Sequence, residues 1–292
     1  MVALSVLDLS PVAEGTTGAQ ALHNSLDLAR HCDALGFARY WCAEHHNLPS
    51  IASSAPDIMI GQIAAITRHM RIGSGGVMLP NHAPLMVAER FNELMLLETR
   101  AFPAGHPFHN IRAMPAETPL PPIFLLGSSD YSAQLAAHIG AAFSFAHHFA
   151  TFDAGMAMSL YRDNFKPSQS HSKPYAILGT ATVCADTDEE ADRIATTVDL
   201  NIVRRGKGEY LPLASPQNAA AYPYTPVDRT RIAQNRAKMS VGSPKTVRGR
   251  LEALIAETRA DEVMVTTMIY DHAARKRSYE LLAQAFNLKP SS

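Results

Sequence analysis

Long runs of one charge sign are missing from this chain. Its 292 residues carry 26 Lys and Arg against 27 Asp and Glu, a formal net charge of −1. No cationic run exceeds Arg275-Lys276-Arg277, so no electrostatic footprint for nucleic acid or an anionic membrane surface is present. Apolar runs near the about 18 residues of a membrane span are missing too, and Met1-Val2-Ala3-Leu4-Ser5 opens without a basic leader, which makes the cytoplasm the expected location. Cysteine is scarce. Cys32, Cys42 and Cys184 are odd in number and widely spaced, without metal-ligand or redox spacing, so they read as reduced structural residues and no metal site is expected. These absences leave a small molecule as the expected partner.

What is present is 47% hydrophobic and 18% charged sequence, enough for a large core in one barrel-sized domain or two smaller ones. Short apolar runs alternate with longer amphipathic stretches, the βαβα rhythm of a parallel sheet. Strands are expected to begin at Leu4, Ala38, Met70, Ile123, Ala142, Tyr175 and Glu262, with helices over about 19–35, 56–68, 154–165, 188–205 and 271–286, and from Asn81 or His82 to about Thr99. Seven strands is one fewer than a TIM-type α/β barrel needs. The missing one belongs after Arg100, where residues 100–121 hold five prolines and support neither strand nor helix. A single domain over 1–292 is expected, with an excursion at about 206–242 before the last strand that reads equally as a lid, a surface extension or a subunit contact.

Three short stretches are candidates for chemistry. Glu44-His45-His46 follows the second apolar run, at the C-terminal tip of a strand, where α/β barrels keep their active sites. An imidazole there exchanges a proton near neutral pH and an adjacent carboxylate can fix its tautomer; a pair of solvated loop histidines is the plainer alternative. Ser74-Gly75-Gly76 interrupts the third strand, where glycine marks a bulge or a close backbone approach to a ligand. Gly127-Ser128-Ser129 follows a strand and precedes a helix, a context whose amides suit a phosphate, although a glycine-serine turn is most often only a turn.

Taken in order, Ser5-Val6-Leu7-Asp8-Leu9-Ser10-Pro11, Ala43-Glu44-His45-His46-Asn47, the run Gly73 to His82, Leu126-Gly127-Ser128-Ser129 and the tail Val265 to His272 resemble the bacterial-luciferase-like family of flavin-dependent monooxygenases. The resemblance spans nearly the whole chain. It implies a TIM barrel that binds FMN at the C-terminal ends of its strands. It places His45 beside the flavin as acid or base, with Glu44 as its orienter. Ser74-Gly75 falls where relatives carry a non-proline cis peptide, and Gly127, Ser128 and Ser129 fall in the phosphate turn. His46, His147 and His148 are weaker candidates for proton transfer, and a core-facing His147 satisfied by backbone is an equal alternative.

One departure stands beside the match. Relatives follow the helix ending near Thr99 with a strand whose arginine reaches the flavin phosphate, whereas this chain passes from Arg100 to Phe102-Pro103-Ala104-Gly105 almost at once. A deletion and a segment omitted from the chain as given both account for it, and Arg100 is the nearest replacement cation. A true deletion leaves a gap in the barrel between the third and fourth strands. The expected function is therefore that of an FMN-dependent monooxygenase, which uses reduced flavin from a separate flavin reductase and O2 to oxidise a small organic substrate, as a homodimer. A non-catalytic flavin-binding protein with an incomplete barrel is the alternative, and a deazaflavin-dependent enzyme on the same fold the third reading.

Overall fold

The computed structural model describes residues 2–82, 104–105, 109 and 122–289. The expected helix from about 81 to 99 and the proline-rich stretch 100–121 lie almost wholly outside the described residues, as does Arg100. Eight parallel strands are present among them: β1 Ala3–Asp8, β2 Arg39–Cys42, β3 Arg71–Ser74, β4 Phe124–Gly127, β5 Ala142–Ala146, β6 Ala176–Cys184, β7 Met239–Gly242 and β8 Glu262–Thr266. They form one curled sheet in the order β3-β2-β1-β8-β6-β5-β4, the seven strands expected from sequence. The additional strand, β7, pairs with the far half of β6 from Ala181↔Met239 to Cys184↔Gly242, off this path. Its four residues sit between a polar helix and Ser243-Pro244, too short for an apolar alternation to register.

The connecting helices are α1 Gly18–Leu35, α2 Pro56–Ile66, α3 Asp130–Ile139, α4 Ala154–Asp163, α5 Asp188–Gly206, α6 Pro216–Ala220, α7 Pro226–Arg236, α8 Pro244–Thr258 and α9 His272–Ala285. Their ends are written in the sequence. Thr17 caps α1 by accepting from the Gln20 amide at 3.2 Å, and Gly36 stops it in the left-handed region at φ 87°. The carboxylate of Asp33, in the last turn of α1, accepts from the amides of Arg68, His69 and Met70 at 2.8, 3.0 and 2.8 Å and so fixes where β3 begins. Burial opposes its charge, but those three amides outweigh burial and hold its pKa below the ordinary value.

Alternation along the strands sorts the core. Leu4 and Val6 of β1, Tyr40 and Cys42 of β2 and Val263 and Val265 of β8 face the helices. Leu7, Trp41, Ala43, Ile177 and Met264 pack with Phe124 and Tyr175 inside the curl. At the N-terminal end of the strands the interior is closed by polar groups. The Arg39 guanidinium pairs with the Glu262 carboxylate, which also accepts from Ser5 Oγ and, at 2.8 Å, from the Tyr175 hydroxyl. Arg39 also lies 5.6 Å from the ring centres of both Phe124 and Tyr175.

The two ends of the sheet are β3 and β4, whose outer edges have no strand partner among the described residues. Side chains span the space between them. Trp41 meets Phe124 edge to face at 5.3 Å, and Leu126 reaches Gly76 so closely that a Cβ there would lie 2.9 Å from Leu126 Cδ2. Among the described residues, side-chain packing and no ladder links these two ends of the curled sheet.

Candidate active site

β2 ends at Cys42, so Glu44-His45-His46 lies just beyond the strand, in the loop at the C-terminal mouth. Its carboxylate does not serve His45. Glu44 Oε1 lies 2.8 Å from Nε2 of both His46 and His82, and Oε2 accepts from the Met78 amide at 2.8 Å. Burial alone would raise its pKa; the hydrogen bonds from His46, His82 and Met78 outweigh this and bring it down to about 2. The expectation that Glu44 orients His45 is thus corrected. Though adjacent in sequence, the two side chains have different neighbours: Glu44 meets His46, His82 and the Met78 amide, and His45 lies near Arg205. His82, expected only to open a helix, is the partner that sequence reasoning missed; nothing in its immediate sequence context marks it.

His45 stands at the inner rim. Its backbone amide is fixed by the Ser53 carbonyl at 2.8 Å, while its Nδ1 is buried with no hydrogen-bond partner among the described residues. Burial, then Arg205 and His46 nearby, push its pKa below the ordinary histidine value, with Glu44 opposing. His148, beyond β5, faces the same mouth and is pushed down to about 4 by burial, with further depression from His147 and His45. His147 is also depressed, by burial and then by Lys238. More unpartnered buried atoms belong to inward positions: Trp41 Nε1, Ser144 Oγ on β5 and Thr266 Oγ1 on β8. Buried polar atoms without partners are costly, and these four, inside the curl and at its mouth, are available to a polar ligand.

Gly73, in β3, and Gly75, just beyond it, pack against Trp41. Added Cβ atoms at Gly73 and Gly75 would lie 2.8 Å from Trp41 Cζ3 and 2.7 Å from Trp41 Cβ, so the close approach these glycines allow is to an indole of this chain. The cis peptide joins Gly75 to Gly76, one bond beyond the expected Ser74-Gly75. Ser74 Oγ donates to the Gly76 carbonyl at 3.2 Å. After β4, Ser129 is the N-cap of α3: its hydroxyl accepts from the Ser132 amide at 3.3 Å, and Ser132 Oγ accepts from the Ser129 amide at 3.2 Å. Gly127 makes room for this box, since a Cβ there would lie 2.1 Å from Ser132 Oγ. The box occupies Ser129, which leaves Ser128 and the first-turn amides of Asp130 and Tyr131 at the helix N-terminus. Asp130 adds a carboxylate to the same turn.

The long excursion folds as α6, α7 and β7 and lies against the loop after β1. The Leu213 amide donates to the Val12 carbonyl and the Glu14 amide to the Leu213 carbonyl, both at 2.8 Å, while Glu14 accepts from Arg204 at 3.0 Å and Asn218 at 2.8 Å. Arg205, at the end of α5, is thereby held near His45, and the excursion walls one side of the mouth.

Known proteins resemble this chain in sequence and fold. The profile of the luciferase-like monooxygenase family matches residues 2–99, ending where the sequence departs from the family pattern. A luciferase-like monooxygenase of Escherichia coli (strain K12) is 38% identical over 321 positions that take in 96% of each protein. The chain belongs to the luciferase-like monooxygenase family. That alignment has more positions than the 292 residues of this chain, so the relative carries residues with no counterpart here. Among solved structures, apo-MsnO8 is 34% identical over the whole of both chains with a TM-score of 0.87. The oxygenating constituent of 3,6-diketocamphane monooxygenase from Pseudomonas putida, a type II Baeyer-Villiger monooxygenase in complex with FMN, shares the fold at 18% identity, a TM-score of 0.63 and coverage of 98% and 97%. Other proteins with the fold are named for coenzyme F420, so the fold alone does not choose the cofactor. Among the described residues no helix is long and apolar enough to cross a membrane.

Proposed function

We propose that this member of the luciferase-like monooxygenase family is an FMN-dependent monooxygenase that takes reduced FMN from a separate flavin reductase, together with O2, and oxidises a small organic substrate. The observation that carries the reading is the set of inward polar atoms without partners, His45 Nδ1, Trp41 Nε1, Ser144 Oγ and Thr266 Oγ1, gathered in one barrel. The bound flavin supplies the activation of dioxygen; the protein supplies position, dryness and proton control. Ser128 and the first-turn amides of α3 would take the phosphate. His45, neutral because burial and Arg205 disfavour its charged form, is an acid-base group at the reacting end. The excursion, with Arg205, keeps bulk water from the mouth.

Calorimetry with FMN tests the reading. Wild type is expected to bind, and Ser128→Ala, which spares the Ser129 cap, is expected to bind more weakly with an unchanged melting curve. No heat from wild type at millimolar FMN would refute it. The edges of β3 and β4, which have no strand partner among the described residues, favour one alternative, a flavin-binding protein without turnover, which binds FMN in the same experiment but does not depend on His45 for any reaction.

A further inference from the structure

His148 differs from the other histidines of the mouth in having its tautomer dictated by the backbone. The Gly179 carbonyl on β6 lies 3.1 Å from His148 Nδ1 and also accepts from the His148 amide at 3.2 Å. A carbonyl oxygen only accepts, so Nδ1 carries the proton and the ring is fixed by two bonds to one atom. The imidazole packs against Gly179, where an added Cβ would sit 3.5 Å from Cε1 and Nδ1. The ring also meets the Phe149 ring edge to face at 4.8 Å and 86°, and that ring is 60% exposed. Nε2 has no hydrogen-bond partner among the described residues. His148 and Phe149 lie in the turn that follows β5, beyond the inward Ser144 and Ala146 and the outward Phe143 and Phe145, which pack under α3 and α4. This puts His148 at the C-terminal mouth, near enough to His45 for that ring to disfavour its charged form, with an exposed aromatic ring beside it.

We propose that His148 is a fixed hydrogen-bond acceptor of the substrate pocket and that the molecule taken there pairs an O–H or N–H donor with an apolar body. The donor meets His148 Nε2 and the body lies along Phe149. Burial and the neighbouring His147 and His45 keep the ring unprotonated at neutral pH, so the lone pair is available over the working range. A substrate lacking the donor leaves that nitrogen unsatisfied when water is excluded, which is a stronger basis for rejection than a difference in size. The inference rests on the mouth being the substrate site, but its test needs no flavin.

The experiment uses flavin-free full-length protein with nitrogen-15-labelled histidine and two probes of nearly equal size, phenol and toluene. The His148 resonances are expected to report the Nδ1–H tautomer. Phenol is expected to shift Nε2 and to bind about tenfold more tightly than toluene. His148→Phe should bring the two affinities within about threefold, and His148→Gln, which retains an acceptor, should restore part of the preference. An Nε2–H tautomer, equal affinities in wild type, no phenol binding, or an undiminished preference in His148→Phe would each overturn the proposal. If FMN fails to bind while the phenol preference is present and lost with His148, the cofactor reading falls and this one stands.

Discussion

The imidazole of His82 lies across the carboxylate of Glu44, with Nε2 2.8 Å from Oε1 and 2.9 Å from Oε2. Because the same carboxylate holds His46 and the Met78 amide, it ties the loop after β2 to the loop after β3 at the mouth. Glu44 is 3% exposed, so these bonds replace most of its hydration. Glu44→Gln keeps the shape but removes the charge that two imidazoles share, and is expected to lower stability by about 1–3 kcal/mol, the scale of a buried group left poorly paired. Thermal melts at pH 7 check it; an unchanged melting temperature would mean that the brace is incidental.

The same group gives a pH dependence. The folded-state pKa of Glu44, about 2, lies below its ordinary 4.5, so the charged form is bound more tightly by the fold. Its contribution is therefore fully present above the unfolded value and is lost as pH falls from about 4.5 towards 2. In denaturant titrations over that window, wild type should lose stability more steeply than Glu44→Gln. Parallel acid profiles would contradict the assignment.

Gly127→Ala is expected to disrupt the start of α3, because the new methyl meets Ser132 Oγ and Cβ, at 2.1 and 2.2 Å, and displaces the side chain that completes the capping box. Loss of a cap costs about 1 kcal/mol. Amide exchange in the first turn of α3 should quicken while that in α9 stays unchanged. Unaltered protection at Ser132 would show that the box is not what fixes the turn.

Asp130 places a negative charge in the turn proposed for the phosphate. Neutralising it should strengthen FMN binding by about two- to fivefold, equivalent to the 0.3–1 kcal/mol of a charge at a helix terminus. Asp130→Asn measured by calorimetry at low salt tests this, and weaker binding by the variant would place the phosphate elsewhere.

Much of the fold is legible because its signals are local and periodic. The seven path strands and the helix spans over about 19–35, 56–68 and 188–205 need only spacing and residue type. β7 escapes because four residues between two helices carry no period. At the site, proximity in sequence misleads: Glu44 and His45 are adjacent, yet the carboxylate finds His82, 38 positions away. Likewise Gly73 and Gly75 announce a close approach, but only the assembled curl reveals that Trp41 is what approaches. Ser144, Thr266 and Arg205 are ordinary in sequence and matter only because strand ends and an excursion bring them to one mouth.

The central claim is that reduced flavin in this mouth meets dioxygen under the control of the protein, with His45 governing the proton. Stopped-flow mixing of anaerobic reduced FMN and saturating protein with oxygenated buffer tests it most directly. Wild type is expected to return the oxidised-flavin absorbance more slowly than free FMN, and His45→Ala to alter that time course by on the order of 10²-fold, the scale of a lost acid or base, while retaining FMN affinity. A time course identical to that of free FMN, or one indifferent to His45, would contradict the account.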